Sequence, residues 1–244
     1  MDFVYTAQYP ITALHTDCFG QCRPSCLLRL SQDAAEEQCH LLGTDRAAMD
    51  KKNYFWAIIR QRIEITRLPK TGEVITLKTW PMPTTRVAYP RAAEGFDEKG
   101  NSLFKIISIW IIMDKTSRAM ILPGKSGVEV PGTSFGTELK TPPGLCAGTY
   151  ENHARRQVSF FDLDQNLHMN NTRYVDWCFD LFSAAFHREH PLKALTICYN
   201  NEALEGQNID LTWSEGPDVQ VDGSLAATDV GGKQTRIFCA QLEF

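Results

Sequence analysis

The feature that most constrains this chain is an order of elements spelled out twice. After "DCFGQCRP" comes "SCLLRLSQDAAEEQCHLLG", where Leu27, Leu28, Leu30, Ala34, Ala35, Cys39 and Leu42 recur at helical spacing. Pro24 suits the first turn of that helix and Gly43 its end. Strand-like runs follow: "YFWAIIRQRIEITRL", "EVITLKTWP", "RVAYPRAAEGF", "SLFKIISIWIIMD" and "RAMILP", punctuated by the turns "PKTGE" and "DEKGN". Then the scheme restarts. "DLDQNLHMNN" leads into a helix predicted over 172–187, followed by "ALTICYNNEAL", "NIDLTWSEG", "VQVDGSLAAT" and "TRIFCAQLEF". Asp17 and Asp164 lie 147 residues apart, and the turn glycines Gly72 and Gly206 lie 134 apart, so the second copy is shorter between helix and turn. The order predicts an α+β fold of two duplicated units, each a long helix and an antiparallel meander, sharing one extended sheet. The units are expected over 1–122 and 151–244. Between them, 123–150 reads as a Pro/Gly-rich surface linker, because "PGKSGVEVPGTSFG" and "TPPGLCAG" hold no period.

Composition narrows the function classes. The net charge of −4 gives no support for nucleic-acid binding, which shows as a basic face. The longest apolar run, Ile106–Met113, is strand-sized and far short of the ~20 residues that span a bilayer, so no membrane span is expected. The opening "MDFVYTAQYPITALHTD" has no basic region followed by an apolar block, and a cytoplasmic location is the expectation. Eight cysteines are scattered, several within apolar runs where a reduced thiol behaves as a small hydrophobe. The cluster His15, Cys18, Cys22, Cys26 has a C-x3-C-x3-C spacing that departs from common zinc sites. No metal and no cofactor are expected.

The richest chemistry lies in "DLDQNLHMNNTRY", with two acids, three asparagines and a histidine in thirteen residues. Asn and Asp favour turns and helix N-caps, and the Asn170, Asn171 or Thr172 end suits capping. If Asp162–Met169 is extended, Asp164, Asn166 and His168 fall on one face. Three polar groups in register exceed what a cap needs and point to a reaction site. A carboxylate can attack or activate water, an amide can donate to a carbonyl oxygen, and a histidine moves protons near neutral pH. The start of the following helix would add backbone N–H groups for a developing oxyanion. "LTICYNNEALEG" carries a further acid, Glu202 or Glu205, between which the residues alone do not choose.

Taken in order, these segments resemble a known family. "YFWAIIRQRIEITRLPKTGEVITLKTWP" and "GFDEKGNSLFKIISIWIIMDKTSRAMILP" resemble consecutive strand pairs of the acyl-acyl carrier protein thioesterases. "DLDQNLHMNNTRYVDW" is similar to that family's Asp-x-Asn-x-His-x-Asn-Asn-x-(Lys/Arg)-Tyr signature. The resemblance implies a double hot-dog fold, two tandem repeats each wrapping a sheet around a long helix. It also implies hydrolysis of the thioester between a fatty acyl chain and the carrier protein, releasing free fatty acid. Carried over residue by residue, the catalytic set is Asp164, Asn166, His168 and Glu202. Glu202 is expected to activate water, while Asp164 either orients its neighbours or attacks directly. Plant members carry a Cys after that acid. Here Ala203 stands there, and Cys198, expected to share Glu202's strand face, reads as core.

The first repeat lacks the constellation, with Gly20 and Gln21 where the second has Leu167 and His168, so one active site per chain is expected. The N-terminal repeat would hold the acyl chain, with Trp56 in its lining. The absence of a transit extension resembles bacterial members more than plastid ones. The expected partner is acyl carrier protein. Its acidity would call for basic contacts among Arg60, Arg62, Arg67, Lys70, Arg86, Arg91 and Arg173. A homodimer is compatible with the sequence. Two other readings stay open: an acyl-CoA thioesterase, and a non-catalytic acyl-binding hot-dog protein.

Overall fold

Each copy of the repeated order builds a helix-backed run of antiparallel strands. A computed structural model of the chain describes residues 3–136, 140–146, 148, 150–226 and 235–244. The chain divides into two compact units, Met1–Pro142 and Pro143–Phe244. The expected linker residues 137–139, 147 and 149, and the strand residues 227 and 228, lie outside the described residues.

Unit 1 comprises β1 (Tyr5–Pro10), α1 (Pro24–Leu42), α2 (Arg46–Asp50), β2 (Tyr54–Ile65), β3 (Val74–Pro81), β4 (Tyr89–Phe96), β5 (Ser102–Asp114), β6 (Met120–Ile121) and α3 (Pro123–Ser126). Its strands run in the order β1-β3-β4-β5-β2, with β6 paired to β5 and every pairing antiparallel. Unit 2 comprises β7 (Asn152–Gln157), α4 (Asn171–Phe179), α5 (Ala184–Glu189), β8 (Ala194–Tyr199), β9 (Asn208–Trp213), β10 (Asp218–Leu225) and β11 (Thr235–Glu243). The order here is β8-β11-β10-β9-β7, again antiparallel. The internal offsets persist in three dimensions: β7 and α4 begin 147 residues after β1 and α1, and β9 begins 134 after β3.

α1 starts at Pro24, whose missing N–H would be unpaired there anyway, and ends at Gly43, left-handed with φ 67°. Its buried stripe of Leu27, Leu28, Leu30 and Ala34 packs over β1 and β3. Each buried leucine contributes roughly 1.5–3 kcal/mol of transfer free energy. In unit 2, Tyr174 of α4 lies against Phe238 of β11, ring centres 4.9 Å apart. One packing device recurs in both units. A Cβ on Gly95 would come within 2.3 Å of Phe104, its cross-strand partner, and one on Gly223 within 2.1 Å of Phe238, likewise its partner. Each glycine lets an aromatic ring lie flat across the neighbouring strand.

Several sequence expectations change. The helix predicted over 172–187 breaks in two. α4 stops at Phe179, and the Ser183 hydroxyl accepts from Phe186 N–H to cap α5. The expected linker opens with a helical turn, α3, that remains within unit 1. β1 and β7 were not expected as strands. "NHARRQ" has no apolar alternation, and pairing with β9 is what makes it one.

Candidate active site

Asp164 organises the loop before α4. Its backbone N–H donates to His168 O at 2.9 Å, and Leu167 N–H donates to Asp164 O at 3.1 Å. Its carboxylate Oδ1 accepts from Asn166 N–H at 2.7 Å, an Asx turn. Leu167 is left-handed at φ 65°, and Leu163 bridges to Met169 as the turn closes. The stretch therefore doubles back, where the sequence predicts an extended segment with three side chains on one face. A carboxylate that bonds its own backbone two residues on favours a turn over a strand.

Closure of the turn, not strand alternation, brings the groups together. His168 Nδ1 lies 3.6 Å from Asp164 Oδ2, and His168 Nε2 lies 3.5 Å from Glu202 Oε1. The imidazole is bracketed by two carboxylates. Both separations exceed hydrogen-bond length, as is common before a substrate group draws such contacts tight. His168 Nε2 is buried and makes no hydrogen bond. Two backbone links hold the acid's loop against the histidine: a bridge from His168 to Leu204, and Met169 N–H donating to Ala203 O at 2.8 Å.

Glu202 sits in the loop after β8, which ends at Tyr199, rather than on the strand. Cys198 consequently does not share a strand face with it. Cys198 is buried opposite Cys239, and their hydrogen bond together with burial pushes the Cys239 thiol well up. Such a thiol is inert packing.

Asn170 caps α4: its Oδ1 accepts from Thr172 N–H at 2.9 Å and from the Thr172 hydroxyl at 2.7 Å. Arg173 N–H is bound to Asn170 O. Two of the helix-start donors expected for an oxyanion are thus already occupied. The exposed Asn166 amide, with Nδ2 3.5 Å from Asp164 Oδ2, is the better placed donor.

Asp162, which no expected role singled out, underpins the loop. It is buried, accepting from Ser159 N–H (2.9 Å), the Ser159 hydroxyl (2.8 Å) and Arg173 Nε (3.0 Å). Burial alone would raise its pKa, but the Ser159 bonds and the Arg173 cation outweigh it and hold the carboxyl low. The motif "SFFD", a serine followed three residues on by an acid, carries that signal. Arg173 also binds Asp176 at 2.6 Å, so its two ion pairs brace the loop. Arg91, another expected surface cation, is buried in unit 1.

Trp56 lies in unit 1, where it lines a cavity of about 80 Å³ with Ala35, Cys39, Tyr89, Arg91 and Trp110. Its indole N–H donates to Thr44 O at 2.9 Å, and its ring meets Tyr89 edge-on at 4.9 Å. Among the described residues, no group of three or more His, Cys, Asp or Glu is arranged to hold a metal. None of their helices is long and apolar enough to cross a membrane.

Residues 2–122 match the acyl-ACP thioesterase N-terminal domain, and residues 148–237 match the acyl-ACP thioesterase C-terminal domain, ACP being acyl carrier protein. A palmitoyl-acyl carrier protein thioesterase of Gossypium hirsutum is 25% identical over 201 residues, covering 78% of this chain and 45% of that one. An oleoyl-acyl carrier protein thioesterase of Arabidopsis thaliana is 25% identical over 196 residues, 74% of this chain and 53% of that one. The chain spans about half the length of the curated relatives it matches. Among solved structures, an acyl-ACP thioesterase from Bacteroides thetaiotaomicron superposes with a TM-score of 0.89 at 20% identity, covering 99% of this chain and 98% of that one. A 12:0-ACP thioesterase from Umbellularia californica gives 0.80 at 17% identity, with 100% and 97% covered. These likenesses establish the fold, an α+β arrangement of hot-dog units.

Proposed function

The chain belongs to the acyl-ACP thioesterase family, and from that premise we propose that it hydrolyses fatty acyl thioesters of acyl carrier protein to free fatty acid. The observation that carries this reading is His168 bracketed by Asp164 and Glu202 at 3.6 and 3.5 Å on a solvent-reachable loop. Glu202, the more exposed acid, takes a proton from water as it attacks the thioester carbonyl. The Asn166 amide donates to the oxygen on which charge develops. His168 carries a proton to the departing sulfur, and Asp164 holds the turn that aims both Asn166 and His168. Unit 1 receives the acyl chain in the cavity lined by Trp56. The names of the plant relatives support a carrier-protein thioester as substrate.

The test is hydrolysis of acyl-ACP and acyl-CoA thioesters across chain lengths by the purified chain. Faster turnover of the ACP thioester is expected. Cleavage of acyl-CoA alone would move the substrate class, and cleavage of neither would overturn the hydrolase reading.

A further inference from the structure

The unit 1 cavity has apolar walls and two charged members, Glu36 and Arg91. Trp56, Tyr89, Trp110 and Ala35 are partners for a hydrocarbon, yet Arg91 lines the same space with only 8% of its surface exposed. Arg91 lies on β4 directly opposite Ser108 of β5, and Ser108 lies opposite Gln61 of β2. Directly opposed residues share a sheet face. Because Arg91 bonds Gln38 of α1, that face is the one turned toward the helix. A polar strip therefore crosses what would otherwise be an apolar interior. Within it, Gln61 Oε1 is buried without a hydrogen-bond partner.

The Arg91 bonds are neutral and incomplete. Nη1 donates to Gln38 Oε1 at 2.6 Å and to Thr79 Oγ1 at 3.2 Å, and Nη2 donates to Cys39 Sγ at 3.7 Å. A guanidinium has five N–H donors. The Nε–H and one Nη2–H have no acceptor among the described residues, and no carboxylate there makes an ion-pair contact with the cation, Glu36 attracting it only at longer range. Glu36, the acid on the cavity wall, instead accepts from Arg46 N–H at 3.2 Å. Burying a cation without an anion costs several kcal/mol, so a fold that retains one leaves a strong site for an incoming oxygen.

We propose that Arg91 is a specificity-determining residue: the cavity takes an acyl chain whose far end carries an acceptor oxygen, carboxylate or hydroxyl, in preference to a plain methyl end. This rests on the reading that unit 1 holds the acyl chain. The alkyl stretch lies along the aromatic walls, and the terminal oxygen accepts from the two N–H groups left over on Arg91.

Methyl-ended, hydroxyl-ended and carboxyl-ended acyl thioesters of matched length discriminate the outcomes, assayed with the full chain, its Arg91→Met variant and its Arg91→Lys variant. In the unmutated chain an oxygen-ended thioester is expected to exceed the methyl-ended one by about tenfold or more in kcat/KM, the scale of one charge-assisted hydrogen bond. That ratio should fall to about one or below in Arg91→Met and be partly kept in Arg91→Lys. Which oxygen-ended chain gains more identifies the ligand as anionic or neutral. Non-hydrolysable thioether analogues, titrated against the fluorescence of Trp56 and Trp110, give the same ratio as binding. If no thioester is cleaved but the oxygen-ended analogue binds about tenfold tighter, the hydrolase reading fails and this one stands. A methyl-ended chain preferred by the unmutated protein, or a ratio unmoved by Arg91→Met, overturns it.

Discussion

The turn at Asp17–Gln21 in unit 1 and the turn at Asp164–His168 in unit 2 share a backbone and differ in chemistry. In both, the aspartate N–H donates at 2.9 Å to the carbonyl four residues on. Asp17 Oδ1 accepts from Phe19 N–H at 2.8 Å and Gln21 N–H at 3.0 Å, as Asp164 Oδ1 accepts from Asn166 N–H. Gly20 at φ 70° occupies the place of Leu167 at φ 65°. Gln21 bridges to Lys70 as His168 bridges to Leu204, and Cys22 N–H binds Pro69 O as Met169 N–H binds Ala203 O. Counting from these links, Leu68 stands where unit 2 has Glu202. Aspartate is thus common to both turns, and its shared duty is to build them. The candidate reacting groups, Asn166, His168 and Glu202, are replaced in unit 1 by Phe19, Gln21 and Leu68. This division supports the proposed roles of Glu202 as base and Asp164 as the residue that positions.

The sharpest way to break the comparison is to give unit 2 neutral side chains. Glu202→Gln and His168→Gln are each expected to lower kcat by about 10²–10⁴-fold, the range for a lost acid or base. The unfolding midpoint should barely move, since unit 1 folds the same turn with Leu68 and Gln21. Steady-state kinetics beside calorimetry reads both, and undiminished turnover in Glu202→Gln removes its role.

A smaller effect tests the buried brace. At the place of Asp162, unit 1 has His15, whose Nδ1 accepts from Thr12 N–H at 3.1 Å without a cation partner. Asp162→Asn should cost roughly 2–4 kcal/mol, because Arg173 keeps only Asp176 of its two carboxylate partners and the two Ser159 donors lose a charged acceptor. Asp162's folded pKa lies below its unfolded one, so its contribution is full above the ordinary carboxylate value of about 4 and is lost as pH falls through the folded value. Urea titrations over a pH series should therefore show the gap between the two proteins closing only in acid; a constant gap would mean the charge is irrelevant.

Next come the paired aspartates. Asp17→Asn and Asp164→Asn are each expected to cost about 1 kcal/mol, as an amide oxygen replaces a charged acceptor. Only Asp164→Asn should also depress turnover. Equal kinetic effects would erase the distinction between the turns. The mildest test concerns the left-handed residue: Leu167→Gly should raise stability by about 1 kcal/mol and Gly20→Leu lower it similarly, read as thermal midpoints. A destabilised Leu167→Gly would reveal contacts by that leucine that outweigh its backbone strain.

Much of this was legible in the residues, and the illegible remainder has a common cause. α1, the long strands and the turn glycines are written in local periods and in residues suited to one backbone conformation, so Leu27, Leu28, Pro24 and Gly43 declare them. The capping end at Asn170 was readable for the same reason. β7 was not, because "NHARRQ" becomes a strand only through bonds to β9. Arg91 reads as a surface charge in sequence, yet register with Ser108 and Gln61 turns it inward. Local pattern in the residues carried α1, the long strands and the candidate groups Asp164, Asn166 and His168. Only tertiary contacts close the Asp164–His168 loop into a turn and bring Glu202 to 3.5 Å from His168. Contacts between residues distant in the chain depend on how sheets register and turns close, and no local pattern encodes that distance.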